Sequence, residues 1–479
     1  MIDELTRLKN SGKFNAETAS QLALEAVQLI IRHHENREYS REAVTLLCRL
    51  TSDPERSIAR CGVQALFTEL IEGLNDSFDP AACGLYDRII AQVIEYYRRL
   101  PAGQSLDRSL RNFGLLNEAD LLNRKSQISI NKYQPPQAPR APRTSVELKK
   151  VLLLSRVTIG ADVTMTSVMI ARLREMQSDA EFVLLGSNKL QELFGGDRHL
   201  RVREIKYERA GDVLSRLTSW VDLVAAVESE LQGLNSDQFW LIDPDSRLTQ
   251  LGMLPLLKDE RNYFFFESRS FRREGVTQLG HLASCWINET FGLQGQGFPF
   301  LGLPREHREF GRRIVEQLGW KTTANKTMVV SLGVGGNPRK RLSDSREEEL
   351  IEKLLEDSQL ILDKGASPDE RDQIDRIIKK LRARGKTVIE VNTHNAAEMM
   401  RQESIRADLI TWDGGIGAFA GLIAASDRYL GYDSAGQHIA AALGIPTQAI
   451  FVDSNSEIFA ERWRPYGQGE IDVLFLNSV

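Results

Sequence analysis

The chain has 479 residues, too many for one hydrophobic core and suited to two or three domains. Hydrophobic residues make up 42% and charged residues 27%, the balance of an ordinary soluble globular protein. The net charge of -5 excludes a whole-chain basic field, so bulk nucleic-acid binding is not expected and only local basic patches remain.

The start, Met1-Ile2-Asp3-Glu4-Leu5, has neither the basic flank nor the apolar run of a secretory signal. No stretch approaches the ~20 consecutive apolar residues of a membrane-spanning helix. A cytoplasmic protein is expected. The first third reads as helices. Leu22, Ala26, Leu29 and Ile30 fall at helical spacing, as do Ala43, Leu46, Leu47 and Leu50, and then Leu85, Ile89, Val93 and Tyr96. Asp53-Pro54-Glu55 predicts a helix start, with a side-chain cap, a proline at the first position and an acid near the positive helix end. Pro101 is expected to close the last long helix. Cys48, Cys61, Cys83 and Cys285 are far apart and form neither a metal pair nor a disulfide framework, which predicts buried, reduced thiols.

Tyr133-Gln134-Pro135-Pro136-Gln137-Ala138-Pro139-Arg140-Ala141-Pro142 follows. Four prolines this close exclude a helix or central strand and predict a stiff linker. Beyond it, short apolar runs alternate with amphipathic helices. The runs are 151–154, 182–185, 239–242 and 264–266, then 328–332, 360–362, 388–391, 409–412, 429–432, 449–451 and 473–476. Strands alternating with helices imply parallel sheets covered on both faces, with ligands outside the carboxyl ends of the strands. The expected organisation is an all-α domain (1–132), a linker (133–147) and two facing Rossmann-like domains (148–324 and 325–479). The ligand would lie in the cleft between the last two.

Three loops carry candidate chemistry. Asp433-Ser434-Ala435-Gly436-Gln437-His438 follows a strand and turns into the helix Ile439-Ala440-Ala441-Ala442-Leu443. A helix start of small residues leaves N–H groups open for an anion. Asp433 would repel a diphosphate, so it is assigned to sugar hydroxyls and the backbone of Ser434, Ala435 and Gly436 to phosphate. The plain alternative, a capped helix with His438 packed inside, is about as strong on local physics alone. Ser331-Leu332-Gly333-Val334-Gly335-Gly336-Asn337-Pro338-Arg339-Lys340-Arg341 is the second. Its glycines would let backbone approach a phosphate, and Lys340 and Arg341 would neutralise it. The P-loop spacing is absent, and by itself a basic surface loop is the better reading.

The third is Ile159-Gly160-Ala161-Asp162-Val163-Thr164, whose acid would serve as general base on an acceptor hydroxyl or, more simply, cap a helix. Asp243-Pro244-Asp245 has metal-ligand spacing but reads as a strand-end turn, so no metal is assigned. His33-His34 reads as a solvated helix face, and His281, His307 and His394 carry no pattern. Trp412-Asp413-Gly414-Gly415-Ile416-Gly417 would line a nucleotide or, more simply, form a turn.

Taken together, residues 148–479 resemble glycosyltransferase family 9, the ADP-heptose:lipopolysaccharide heptosyltransferase group. The match is densest at residues 429–447, where Asp-Ser, His438 and Ala-Ala-Ala-Leu-Gly-Ile-Pro-Thr resemble the pattern DSGxxHxAAALGxPT. Arg462-Trp463-Arg464-Pro465-Tyr466-Gly467 resembles the family's closing segment, and Asp162-Val163 its first strand–loop–helix. Two positions depart from the pattern: Ala161 separates Gly160 from Asp162, and Ala435 stands where the family has glycine.

The resemblance implies a GT-B fold and metal-independent, inverting sugar transfer without a cofactor. It makes Asp162 the base, sets Lys340 against the donor phosphates, and makes Asp433, Ser434 and His438 donor contacts. Glu370, or equally Asp369, would hold the ribose. The implied co-substrate is a nucleotide sugar, ADP-linked favoured and with heptose one candidate, and the acceptor a saccharide or a protein. Peripheral association with the inner face of the inner membrane and oligomerisation through the helical domain stay open. Two rivals stand beside this reading: a nucleotide-sugar epimerase on the same fold, and a non-catalytic nucleotide-sugar-binding protein whose helical domain recruits a partner.

Overall fold

The computed structural model describes residues 1–131, 148–207, 211–317, 326–335, 340–401, 406–453 and 457–477. The proline-rich linker and residues 336–339 of the basic loop lie outside the described residues. The strands, in chain order, are β1 (Lys150–Leu154), β2 (Glu181–Gly186), β3 (Leu200–Glu204), β4 (Phe239–Asp243), β5 (Tyr263–Phe265) and β6 (Lys326–Ser331). They continue with β7 (Ser358–Asp363), β8 (Val388–Asn392), β9 (Leu409–Asp413), β10 (Arg428–Tyr432), β11 (Thr447–Val452) and β12 (Ile471–Leu476). Each apolar run of the sequence is one of these strands. The additional one, β3, exposes Arg201 and Glu204 and so had no apolar run to mark it.

The chain forms two compact units, Met1–Glu147 with Ile205–Phe271, and Leu148–Glu204 with Arg272–Val479. In the first unit the described residues up to 131 are helical in every named element. Asn15 starts the helix Ala16–Glu35 with a reciprocal pair: its side chain accepts from Thr18 N–H, and the Thr18 hydroxyl accepts from Asn15 N–H. The expected start at Asp53-Pro54-Glu55 is displaced. The helix begins at Arg56, and Asp53 instead accepts from Glu55 N–H in a turn. Pro101 opens a short 3-10 turn, and two helices follow it, Gln104–Asn112 and Glu118–Asn131. The helix Pro80–Arg98, which carries Leu85 to Tyr96, does end just before Pro101 as expected, but it is not the last long helix, since Glu118–Asn131 comes later.

This helical stretch shares its unit with residues 205–271, which include the parallel pair β4–β5. The join is polar and buried. Arg124 Nη1 donates to the carbonyls of Gly252 (2.6 Å) and Met253 (3.0 Å), and Lys125 Nζ donates to that of Leu251 (3.0 Å). Gln250, Leu251 and Gly252 have φ of 50°, 56° and 82°, a left-handed run that turns these carbonyls toward the two cations. Charged donors on buried carbonyls make strong hydrogen bonds, so helix Glu118–Asn131 is tied to that turn.

The second unit is α/β with parallel strands. β1 pairs with β2 and β2 with β3, all parallel. A seven-stranded parallel sheet runs in the order β12-β11-β10-β6-β7-β9-β8. Its core includes Val330, Leu360, Leu362, Leu409 and Ile450, all at most 1% exposed. From β6 the chain moves to β7 on one side. From β9 it crosses to β10 on the other side of β6. The connections therefore diverge between β6 and β10, and a ligand crevice is expected beyond the carboxyl ends of these two strands. No helix among the described residues is long and apolar enough to cross a membrane.

Candidate functional site

The two loops beyond that divergence are the two richest candidates of the sequence. After β10 comes Asp433-Ser434 and the helix Ala435–Ala442. After β6 come Leu332 to Gly335 and then Lys340. They meet through an ion pair, with Lys340 Nζ 2.6 Å from Asp433 Oδ2. Asp433 Oδ1 accepts from Gln437 Nε2 at 3.0 Å, so the carboxylate is held from both sides. Lys340 Nζ also lies 4.5 Å from the centre of the Phe459 ring. The sequence assigned Asp433 to sugar and Lys340 to phosphate, and the structure brings the two together.

Ser434 occupies the N-cap of Ala435–Ala442, but its side chain makes no capping hydrogen bond. The positive end of this helix is thus left without an internal acid. The start of Ile416–Ala425 is the contrast, since the Glu192 carboxylate accepts from Gly417 N–H at 2.9 Å. That carboxylate fills the start of the second glycine-rich segment, whose Arg371 Nε–Asp413 Oδ1 pair (3.1 Å) engages its acid as well.

The glycines near Ser434 have a packing reason. A Cβ on Gly436 or on Gly431 would overlap the Tyr429 hydroxyl, and Tyr429 is 1% exposed. The aromatic side chain reaches along the sheet edge to the helix start, and only glycine leaves room for its oxygen. The sequence singles out Gly436 as a phosphate contact; what the structure shows is that it seats Tyr429. Ala435, in the position where the family pattern has glycine, faces Gly160. A Cβ on Gly160 would lie 3.3 Å from Ala435 Cα and 2.9 Å from His438 Cδ2. The Asp162 loop and the helix after β10 therefore touch through Gly160.

Glu370 is saturated. Oε1 accepts from Val334 N–H (2.8 Å) and Gly335 N–H (3.2 Å), and Oε2 from Ala366 N–H (2.9 Å) and Ser367 N–H (3.0 Å). Burial acts to raise its pKa, but these backbone donors prevail and hold it below the usual carboxylate range. One side chain thereby ties the Gly333–Gly335 loop to the loop after β7. Asp369, the other ribose candidate, is exposed in the same helical turn. Arg341 is also committed: its Nη2 lies 2.8 Å from Oε2 of the fully buried Glu347.

Asp162 does not cap its helix. The helix starts at Ile159, and Asp162 begins a π-helical turn that runs to Thr166. Its carboxylate is 1% exposed and accepts from Ser155 Oγ (2.6 Å), Arg156 N–H (2.7 Å) and Thr166 Oγ1 (3.0 Å). Burial raises its pKa to about 6 against the pull of those donors. These three bonds stay within its own loop and helix, so the acid shapes the loop after β1 while burial holds its pKa well above the usual carboxylate range.

One acid went unmarked in the sequence. Asp363, the last residue of β7, accepts from Ser331 Oγ at 3.0 Å beside the divergence point, and burial raises its pKa to about 6. An acid ending the apolar run Leu360-Ile361-Leu362 was the signal available. In the closing segment, Tyr466 stacks between His281 and Phe298, each 5.4 Å away by ring centre, and its hydroxyl donates to Gly297 O at 2.8 Å.

Asp243 and Asp245 lie in the first unit. Asp243 accepts from Thr249 Oγ1, Tyr263 Oη and Ser246 N–H, and Asp245 accepts from Ser268 Oγ. Internal donors thus occupy both oxygens of Asp243, whereas on Asp245 they engage Oδ2 and leave the buried Oδ1 without a hydrogen-bond partner among the described residues. Among the described residues no group of three or more metal-ligating side chains is found.

No family model matches the chain, and no curated protein matches it. Among solved structures it is similar to the glycosyl transferase family 9 from Veillonella parvula DSM 2008, at 14% identity over 69% of this chain and 87% of that one, with a TM-score of 0.47. It is similar to E. coli ADP-heptose lps heptosyltransferase II at 15% identity over 68% and 90%, with a TM-score of 0.45. E. coli heptosyltransferase WaaC with ADP gives 14% identity over 68% and 93%, with a TM-score of 0.43. At such identity, function has to be read from the residues of the site.

Proposed function

We propose that this chain is a glycosyltransferase of GT-B architecture that moves a sugar from a nucleoside diphosphate to an acceptor hydroxyl, with inversion and without a metal. The observation that carries the reading is the divergence of β6 and β10, where Lys340, Asp433 and an uncapped helix start converge. In this reading the diphosphate draws Lys340 to itself and takes the N–H groups at Ala435 and Gly436. Asp433 is then released to the sugar hydroxyls.

Asp162, with its pKa raised to about 6, takes the acceptor proton. The acceptor oxygen bonds to the anomeric carbon as the bond from that carbon to the diphosphate oxygen breaks. The charge growing on the departing diphosphate is met by Lys340 and the helix end. ADP and heptose are the favoured donor parts, on the resemblance of residues 429–447. A saccharide or protein hydroxyl is the acceptor class.

The test combines a thermal-shift screen of ADP-, GDP-, UDP- and dTDP-linked sugars with turnover of the Asp162→Asn variant. Asn keeps the shape of the side chain, whereas alanine would also leave Ser155, Arg156 and Thr166 without their acceptor. The expected result is stabilisation by one nucleotide class, growing with ligand concentration, and near-complete loss of transfer with donor affinity kept. Normal turnover in Asp162→Asn removes Asp162 from the mechanism. One observation favours a second reading, nucleotide-sugar binding without transfer: the Asp162 carboxylate already accepts three hydrogen bonds. Donor binding with no turnover across an acceptor panel supports it.

A further inference from the structure

Beside Asp433 lies a buried polar pair that the proposed mechanism does not use. Gln437 is fully buried and His438 is 3% exposed, both in the first turn of the helix after β10. Gln437 Nε2 is 3.0 Å from Asp433 Oδ1, 3.4 Å from Trp463 O and 3.4 Å from His438 Nε2. A carboxylate and a carbonyl only accept, so the amide must turn its NH2 toward them. Its oxygen in that place would face two acceptors.

That orientation constrains the histidine. An amide nitrogen carries only donors, so the His438 Nε2 beside it must present its lone pair. Burial lowers the His438 pKa to about 4, against the opposing effect of Asp433, so the ring is neutral near pH 7. A neutral imidazole with a bare Nε2 carries its proton on Nδ1. Nδ1 has no hydrogen-bond partner among the described residues. The ring is also confined. A Cβ on Gly160 would lie 2.9 Å from its Cδ2, and the Trp463 ring centre is 6.1 Å away.

We propose that Gln437 is a positioning residue that holds the Asp433 carboxylate and fixes His438 as the tautomer protonated on Nδ1. Its Nδ1–H is then the side-chain donor that this helix start offers to a phosphate oxygen. This last step rests on the donor-binding reading above; the tautomer does not. A buried N–H without a partner is unfavourable until a ligand accepts from it, which makes it a selective contact for an anion.

The test uses long-range proton–nitrogen NMR spectra of the histidine side chains in the full-length protein. The chain has seven histidines, and His438 is assigned by the signal lost in His438→Gln. The wild type should show Nδ1 protonated and Nε2 bare. In Gln437→Met the NH2 beside Nε2 is gone without a new charge, so the ring should no longer be confined to the form protonated on Nδ1 and an Nε2–H signal should appear. Affinity for ADP, or for whichever of GDP, UDP and dTDP the protein binds instead, is measured by calorimetry in the neutral variant His438→Phe and should fall roughly tenfold, the scale of one hydrogen bond to a charged group. A wild-type ring protonated on Nε2 overturns the proposal, and it does so even if Gln437→Met fails to fold. An unchanged ring in Gln437→Met overturns the role of Gln437, and unchanged nucleotide affinity in His438→Phe overturns the donor role of Nδ1–H. If the wild type binds none of the four nucleoside diphosphates, the nucleotide reading and the phosphate contact fall together, and the spectra still decide whether Gln437 sets the tautomer.

Discussion

Lys340 Nζ and Asp433 Oδ2 lie 2.6 Å apart, joining the loop that leaves β6 to the end of β10 where the chain connections diverge. The lysine side chain is 28% exposed and the aspartate 11%. A pair this accessible contributes little to stability, because solvent screens it and two side chains lose freedom. Its effect is positional: it keeps a cation and an anion at the place where a diphosphate and a sugar would meet. Lys340→Met should therefore change unfolding free energy by no more than about 1 kcal/mol. ADP affinity should fall by roughly tenfold or more, since a charge-assisted phosphate contact is lost. Chemical denaturation and calorimetry measure the two effects separately, and unchanged affinity would take Lys340 out of the donor site.

Glu370 and Asp369 separate cleanly by substitution. Glu370 accepts from four backbone N–H groups, whereas glutamine offers one oxygen and turns an NH2 toward the remaining donors. Glu370→Gln should destabilise the protein by about 1–3 kcal/mol for each N–H left buried and unpaired. Asp369→Asn, at an exposed position, should stay within about 0.5 kcal/mol. Urea unfolding of both variants checks this. Equal stability of the two would mean that Glu370 is not the tie between the loops.

Gly436 and Tyr429 are predicted to be coupled. Gly436→Ala drives a methyl into the Tyr429 hydroxyl and should cost about 1–3 kcal/mol. Removing that oxygen in Tyr429→Phe should recover only part of the loss in the double variant, because the ring carbon that carried it would still lie 2.8 Å from the new Cβ. The double-mutant cycle should then show an interaction energy above ~0.5 kcal/mol, the limit of additivity for distant sites. Additive effects would place the clash elsewhere.

The Asp363 prediction concerns pH. Burial raises its folded pKa to about 6, above its unfolded value, so the folded state binds more protons across that interval. Stability from this group is fully present below the unfolded pKa and is lost as pH rises through about 6. Asn at this position can still pair with Ser331 and carries no titratable proton. Asp363→Asn should therefore lessen the fall in stability between roughly pH 4 and pH 6, by an amount on the order of 2–3 kcal/mol. Asp162 contributes a slope of the same sign. His438, with its pKa lowered to about 4, contributes the opposite one, so the comparison must be variant against wild type at each pH. An unchanged profile would show that the folded state does not raise the Asp363 pKa.

Much of the fold was legible because its signals are local. Runs such as Leu152-Leu153-Leu154 and Val388-Ile389 announce parallel strands by being apolar without alternation, since both sheet faces are covered. β3 escaped because its Arg201 and Glu204 reach solvent at an edge, where burial no longer dictates composition. Asp433 to His438 could be read as an anion-friendly helix start from residue types alone, and Lys340 as a cation near glycines.

Tertiary structure decided what each of these residues is doing. Strand order put the loops after β6 and β10 side by side, and sequence spacing cannot give strand order. Burial and hydrogen bonding turned Glu370 into a tie between two loops. They turned Asp162 into a buried acid with three donors and Gly436 into a seat for the Tyr429 hydroxyl. They also brought out Asp363 and Gln437, which no motif marks, because their importance lies in partners far away in the chain or one helical turn back. Residue type and periodicity are local properties, so they announced the strands and the candidate loops. Desolvation and the direction of a hydrogen bond depend on the whole packed unit, and only its structure assigned the partners.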